Sequence, residues 1–148
     1  MTEAILLVGG LGTRLKSEVN DIPKSMAPIN GMPFLRYQLD YLSNFGIKRI
    51  VLAVGYLSEV IESYFQYEYN NMVISYSYEE EPIGTGGAII QALEKTTTER
   101  VLILNGDTLF QVDFDQFLSS HKNSNADFSL ALKPLTNFER YGVVSIDP

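Results

Sequence analysis

The chain has no cysteine among its 148 residues, and this absence excludes several kinds of chemistry. Without thiols there can be no disulfide, no thiolate nucleophile and no cysteine-based zinc site. Basic residues are also scarce: 11 lysines and arginines stand against 18 aspartates and glutamates, for a formal net charge of −7 with no basic run. This balance argues against nucleic acid or an anionic membrane as a partner.

Long apolar runs are missing as well. No stretch approaches membrane-spanning length, and the N-terminus lacks the charged-then-apolar pattern of a signal peptide. We therefore expect a cytoplasmic protein. The composition, 45% hydrophobic and 20% charged, is that of a globular protein with a real core, and we interpret residues 1–148 as one domain.

Short apolar segments alternate with segments of helical periodicity. The patterns predict strands at residues 4–8, 49–54, 73–78, 100–104, 127–132 and 141–146, and helices at 34–44, 58–65, 85–95 and 113–121. We expect Ser58 to cap the second helix, and residues 50–54 and 101–104 to be buried on both faces. Strands separated by helices imply right-handed crossovers and a parallel sheet. The predicted fold is a Rossmann-like α/β/α sandwich with a mostly parallel sheet, incomplete at its C-terminal side.

The first predicted strand leads directly into a loop that suits phosphate. Three glycines follow it: Gly9, Gly10 and Gly12. They let the backbone turn sharply and leave no side chain between its N–H groups and a bound anion. Arg14 adds a planar fork of donors, and Lys24 adds a compact second charge. A strand followed by glycines is as often a plain turn, and the spacing fits neither the Walker loop nor Gly-x-Gly-x-x-Gly.

Two further features fall at predicted strand ends, where ligands bind in open α/β sheets. Asp107 follows the apolar residues 101–104, and carboxylates in such positions commonly hold Mg²⁺. The alternative is an aspartate that only makes local hydrogen bonds in an Asn-Gly-Asp turn. Gly84 and Thr85 open a helix, whose N-terminus favours negative charge; here the alternative is a glycine-rich turn with Thr85 as N-cap.

Three motifs near the N-terminus occur together: Gly-Gly-x-Gly-Thr-Arg-Leu at residues 9–15, Pro-Lys-Ser-Met-Ala-Pro at 23–28, and Gly-x-Pro-Phe-Leu at 31–35. The combination resembles the sugar-1-phosphate nucleotidyltransferases, which join a nucleoside triphosphate to a sugar phosphate and release pyrophosphate. Residues 20–35 (NDIPKSMAPINGMPFL) look most like the D-glycero-α-D-manno-heptose 1-phosphate guanylyltransferases. Members of this family continue well past the segment that matches residues 141–144, so we interpret the chain as the N-terminal, nucleotide-binding part of a longer protein.

The resemblance implies roles for the motif residues. Arg14, Lys24 and Asp107 would be catalytic, and Asp107 would also bind Mg²⁺. The implied nucleotide-binding residues are Gly9, Gly10, Gly12, Thr13, Glu79, Gly84 and Thr85. Gly142, in Tyr-Gly-Val-Val, would lie under the sugar; the alternative is a simple bend that enters a strand. The family's second metal-binding aspartate and its sugar-phosphate motif lie in later segments, so this chain alone is not expected to catalyse at the full rate.

Glu79 bears on the choice of nucleotide, because it lies three residues before Pro82, where related transferases place a residue that recognises the base. A carboxylate only accepts hydrogen bonds, and guanine offers two adjacent N–H donors, whereas thymine and uracil offer one. The expected partners are therefore a nucleoside triphosphate, with GTP favoured, and a sugar 1-phosphate of heptose or mannose type. Two alternatives stay open: a glucose-1-phosphate thymidylyl- or uridylyltransferase, and a non-catalytic nucleotide-sensing module. The oligomeric state is also open, a homo-oligomer included.

Overall fold

The computed structural model describes residues 3–10, 22–134, 136 and 144–145. The strands in this part of the chain are β1 (Glu3–Leu7), β2 (Pro28–Ile29), β3 (Met32–Pro33), β4 (Arg49–Val54), β5 (Glu68–Tyr69), β6 (Met72–Tyr78) and β7 (Val101–Asn105). The helices are α1 (Phe34–Asn44), α2 (Ser58–Phe65), α3 (Gly84–Leu93) and α4 (Phe114–Ser124), with a short 3₁₀ helix at Lys24–Met26. None of these helices is long and apolar enough to cross a membrane.

The central sheet has five strands in the order β5-β6-β4-β1-β7. The last four run parallel, and the short β5 pairs antiparallel with β6 at one edge. β1 lies between two partners, so Ile5 stands opposite both Val51 and Ile103. A strand with neighbours on both edges and helices nearby needs apolar residues throughout, as the sequence of β1 provides. The predicted α/β fold with a mostly parallel sheet is confirmed.

One part of the core forms where α3 packs on the sheet. α3 contacts β1, β4 and β6, and its Ala88 and Ala92 are buried against Ile5, Val51 and Ala53. Alanine side chains let the helix backbone come close to the sheet. Residues 50–54 of β4 are all buried, which confirms the prediction for that strand.

β7 differs from β4. Among the described residues it pairs only with β1, and Leu102 is the one residue of its 101–104 segment that is buried. The prediction of burial on both faces was therefore wrong for this strand, because a strand with one neighbour leaves part of each face uncovered. Its position is nevertheless informative. The chain moves from β1 to β4 to β6 on one side and then places β7 on the other, so the strand order reverses beside β1, the usual place for a ligand in such sheets.

An ion pair between the buried carboxylate of Glu3 and the partly exposed side chain of Arg49 lies at the amino-terminal edge of the sheet. Glu3 is 1% exposed, and its carboxylate lies 2.9 Å from Arg49 Nε. It also accepts hydrogen bonds from the backbone N–H of Thr97 at 2.8 Å and from the Thr97 hydroxyl at 2.6 Å. Because Arg49 balances the charge of the carboxylate and Thr97 supplies two hydrogen bonds, the carboxylate can be buried without an uncompensated charge. The contacts attach the start of β1 to β4 and to the loop before β7.

The chain folds into two compact units, Met1–Phe110 and Gln111–Pro148. The second contains α4, which Asp113 caps by accepting a hydrogen bond from the Gln116 N–H at 2.9 Å. The predicted strand at 127–132 was wrong, since this segment has no regular secondary structure. Its alternating apolar side chains (Phe128, Leu130 and Leu132) are exposed, because no neighbouring strand in the described chain pairs with them.

Helix ends also differ from expectation. Ser58 does not cap α2: Leu57 precedes the helix in a left-handed conformation (φ 59°), and no side chain supplies a capping hydrogen bond there. α3 ends at Leu93 and α4 continues to Ser124, so the predicted ends at 95 and 121 were off by a few residues, as helix ends often are. Of the strand predicted at 141–146, residues 141–143 and 146 lie outside the described residues, and residues 144–145 have no regular structure.

Candidate functional site

The backbone of the loop after β1 packs closely against the backbone of the loop after β4. The Val8 N–H donates to the Ala53 carbonyl at 2.9 Å, which continues the β1–β4 pairing. Just beyond, a Cβ placed on Gly55 would lie 3.0 Å from the Gly9 carbonyl oxygen, so the loops after β1 and β4 touch through a glycine. A Cβ on Gly10 would meet no atom within 4 Å. The described residues therefore leave open space beside the Gly10 backbone, as a phosphate cradle requires.

Glu79 lies against this loop. Its N–H donates to the Val54 carbonyl at 2.8 Å, which fixes the chain as it leaves β6. Its Oε1 lies close to the Gly9 backbone, since a Cβ on Gly9 would come within 2.5 Å of it. The structure thus brings together Gly9 and Glu79, two residues that the sequence assigned to nucleotide binding.

Asp107 lies at the end of β7, on the other side of β1. The Gly106 N–H donates to the Leu7 carbonyl at 2.8 Å and so extends the pairing of β7 with β1. A Cβ on Gly106 would collide with the Val8 side chain and lie 2.9 Å from the Leu7 oxygen. Glycine is needed at this position, and the next residue, Asp107, therefore starts at a fixed point beside β1.

Lys24 and Asp107 form an ion pair, with Nζ and Oδ2 at 2.6 Å. Lys24 begins the 3₁₀ helix, and Thr108 Oγ1 donates to the other carboxylate oxygen at 3.1 Å. Burial raises the pKa of Asp107, but the hydrogen bond and charge of Lys24 and the hydrogen bond from Thr108 outweigh it, so the pKa is below its ordinary value. The carboxylate is ionised at neutral pH. Both side chains are about two-fifths exposed (44% and 40%), so a ligand can reach them.

Gln38 is a site residue that the sequence reasoning missed. Its side chain is buried in α1, and its Nε2 donates to the carbonyls of Asn105 at 2.9 Å and Thr108 at 2.5 Å. These two carbonyls flank Gly106 and Asp107. A signal was present in the sequence: position 38 falls on the same helical face as Leu35 and Leu42, and an amide on an apolar face is unusual.

The start of α3 lies five residues beyond Glu79. Gly84 has a φ of 74°, a conformation that favours glycine, and Ile83 rather than Thr85 is the N-cap residue. In the described chain no side chain caps α3, so the first N–H groups of the helix are not held by a side-chain cap. Gln91 Nε2 donates to the Tyr78 carbonyl at 2.7 Å, which attaches α3 to the end of β6 next to Glu79.

Four of the predicted site residues lie outside the described residues: Gly12, Thr13, Arg14 and Gly142. Within the described ranges, no group of three or more histidine and acidic side chains is placed to hold a metal ion. Asp107 is instead a single, ionised and accessible carboxylate. That arrangement fits Mg²⁺, which proteins often hold through one or two carboxylates while waters and substrate phosphates complete its shell.

The carboxyl edge of the sheet thus presents two kinds of surface around β1. The open backbone of Gly10 and the Lys24 ammonium favour an anion, whereas Asp107, which pairs with Lys24, favours a cation. Glu79 adds a hydrogen-bond acceptor next to Gly9. The arrangement suits a polyphosphate with a divalent cation, held where the strand order reverses.

The comparisons with known proteins agree with this geometry. The chain is 54% identical, over 142 residues, to a D-glycero-alpha-D-manno-heptose 1-phosphate guanylyltransferase of Aneurinibacillus thermoaerophilus, covering 96% of this chain and 62% of that protein. A Campylobacter jejuni protein of the same name is 50% identical over 98% of this chain and 63% of its own length. The crystal structure of HddC from Yersinia pseudotuberculosis complexed with GMP-PN superposes with a TM-score of 0.74 at 38% identity, over 82% of this chain and 54% of that one.

The chain spans a little under two-thirds of the length of the two curated relatives. The match to the family itself extends over nearly all of the chain, since the profile described as "Nucleotidyl transferase" covers residues 3–148. The chain therefore belongs to the nucleotidyl transferase family.

Proposed function

We propose that the protein containing this chain is a sugar-1-phosphate guanylyltransferase that acts on a heptose or mannose type of sugar. The observation that carries the proposal is the Lys24–Asp107 pair at the carboxyl edge of the sheet, where the strand before Asp107 pairs with the strand before Gly9 and Gly10. It supplies one positive and one negative group to the same place. Support also comes from the two relatives described above, both named as heptose 1-phosphate guanylyltransferases.

In the proposed reaction, an oxygen of the sugar phosphate attacks the α-phosphorus of the triphosphate in line. The new P–O bond forms as the bond to the leaving pyrophosphate breaks. This chemistry depends on positioning and charge stabilisation more than on a side-chain nucleophile. Lys24 would bind phosphate oxygens, and Arg14 would stabilise the charge that grows on pyrophosphate. Asp107 would hold Mg²⁺, which when bound neutralises phosphate charge.

Glu79 supports GTP as the nucleotide. Its carboxylate lies against Gly9 at the start of the glycine loop, so a nucleotide whose base lies at this start, with its phosphates further along the loop, would bring the base near this acceptor. Guanine can donate two hydrogen bonds to a carboxylate. A pair of this kind is worth about 1–3 kcal/mol of discrimination, by analogy with side-chain contacts to bases in nucleic acids. Backbone groups near Gly84 and Thr85 would complete the nucleotide site.

Pyrophosphate release by the full-length protein tests the proposal. We expect turnover with GTP and D-glycero-α-D-manno-heptose 1-phosphate or mannose 1-phosphate, and little with UTP or dTTP. Turnover with UTP or dTTP and glucose 1-phosphate would instead identify the protein as a uridylyl- or thymidylyltransferase. Tight binding of a triphosphate without turnover of any sugar phosphate would instead identify a nucleotide-sensing module. A cytoplasmic location stays a prediction.

A further inference from the structure

Gln38 is a polar residue in a position built for an apolar one. Its side chain is 3% exposed and shares the buried face of α1 with Leu35 and Leu42. Burying an amide costs free energy unless its hydrogen-bonding groups find partners, and a leucine would pack in this position without that cost. Packing alone therefore does not account for the amide.

The hydrogen bonds that the Gln38 amide donates explain why a polar side chain occupies this buried position. Nε2 carries two hydrogens and donates to two carbonyl oxygens, of Asn105 and of Thr108. Oε1 is buried and has no hydrogen-bond partner among the described residues, so the amide is oriented by its donors. The reverse orientation would place Oε1 against two carbonyl oxygens, which repel it. Both donors thus hold the two ends of the turn that contains Gly106 and Asp107.

α1 also reaches the partner of Asp107. The helix packs against the 3₁₀ helix that begins at Lys24. One helix therefore contacts both the segment that carries the ammonium and, through Gln38, the turn that carries the carboxylate. The Lys24 Nζ–Asp107 Oδ2 distance depends on where these two segments stand relative to α1.

We propose that Gln38 is a positioning residue, whose amide holds the 105–108 turn against α1 and thereby sets the direction of the Asp107 carboxylate. The effect on turnover rests on the proposed function, whereas the effect on the turn stands on the geometry alone. A displacement of about 1 Å at a reacting group can cost on the order of 100-fold in rate. Loss of the two hydrogen bonds is expected to act mainly on kcat, because Gln38 does not itself touch the nucleotide site at Gly9 and Glu79.

The test compares Gln38→Met with a control in the same helix, Leu42→Val, in the full-length protein. Methionine has nearly the length of glutamine but no donor, and valine removes one methylene from a buried position away from the turn. We expect Gln38→Met to lower kcat on the order of 100-fold, with the KM for GTP changed less than about threefold. Leu42→Val is expected to lose comparable stability with kcat unchanged.

Amide hydrogen exchange gives a readout that does not need turnover. The Gly106 N–H bonds to the Leu7 carbonyl, so its exchange by NMR reports whether the turn is held. We expect faster exchange at Gly106 in Gln38→Met than in Leu42→Val. In Gln38→Glu only the protonated carboxyl can donate to a carbonyl, so its kcat relative to wild type is expected to rise as the pH falls, which a purely structural role would not produce.

Equal Gly106 exchange in Gln38→Met and Leu42→Val would overturn the proposal, as would a wild-type kcat in Gln38→Met. If the wild-type protein releases no pyrophosphate with any sugar phosphate, the proposed function fails, and Gly106 exchange alone then decides whether Gln38 holds the turn.

Discussion

Replacing Asp107 with asparagine is expected to abolish most turnover while leaving the fold nearly as stable. The change keeps the shape of the side chain and removes its charge. The lost ion pair with Lys24 is short, but both side chains are about two-fifths exposed. Solvent therefore screens the pair, and its contribution to the free energy of unfolding is about 0.2–1 kcal/mol. The turn itself keeps its backbone contacts, since the Gly106 N–H still bonds to Leu7.

The expected effect on the reaction is larger. If Asp107 holds Mg²⁺ against the phosphates, losing its charge removes stabilisation that acts on the developing charge of the transition state. The loss of one such group typically costs on the order of 100- to 1000-fold in kcat, or about 2.7–4 kcal/mol. The predicted cost in activation free energy thus exceeds the predicted cost in stability by about 2 kcal/mol or more.

Two measurements on the full-length protein check this: urea unfolding, and pyrophosphate release at several Mg²⁺ concentrations. Glu99→Gln is the matched control, because Glu99 is a 92% exposed carboxylate near Arg100 at the opposite end of β7. It is expected to change neither quantity. Normal turnover in Asp107→Asn would refute the assignment of Asp107. A loss of stability as large as the loss in activation free energy would show that the residue is structural.

Three further predictions concern single residues. Gly106→Ala is expected to lower the free energy of unfolding by about 1–3 kcal/mol, because the added Cβ would lie 2.9 Å from the Leu7 oxygen; an unchanged urea midpoint would contradict this. Burial raises the pKa of Glu3, but hydrogen bonds from the loop before β7 and the Arg49 charge bring it below its ordinary value of 4.5. The ionised Glu3 carboxylate therefore contributes fully to the free energy of unfolding above that pH, and this contribution is lost as the pH falls through the lower pKa of the folded state. Urea unfolding at several pH values is expected to show that Glu3→Gln lacks this part of the acid dependence. Glu79→Gln is expected to reduce the preference for GTP over UTP by about 1–3 kcal/mol, and titration of both triphosphates with Mg²⁺ would show an undiminished preference if the assignment is wrong.

The parts of the fold that sequence could predict are those dictated by local pattern. α1 and β4 have the predicted bounds, 34–44 and 49–54, because their apolar residues recur at the helical and strand periods over a full element. The 127–132 segment has an equally regular alternation and is not a strand. Alternation shows which residues would share a face, but a strand also needs a neighbour to pair with its backbone, and that neighbour is not encoded locally.

The same distinction applies to the candidate site. Gly9 and Asp107 could be predicted because each follows an apolar strand in the sequence, and parallel strands end at one edge. The contact of Glu79 with Gly9 and the hydrogen bonds of Gln38 to the 105–108 turn could not. Both depend on which strands are neighbours in the sheet, and the strand order is fixed by packing between elements far apart in the chain.

The place of β1 between β4 and β7 has a consequence for how the protein folds. β1 is the earliest described strand to leave the ribosome, yet it is covered on one edge by β4 and on the other by β7, which begins only at Val101. Until β7 has been made, an apolar strand presents an unpaired edge to other chains, which is a template for aggregation. Pairings between such distant segments also form slowly. Asp107 comes two residues after β7 and 83 residues after Lys24, so the ion pair at the edge of the sheet cannot form until this late part of the chain has been made.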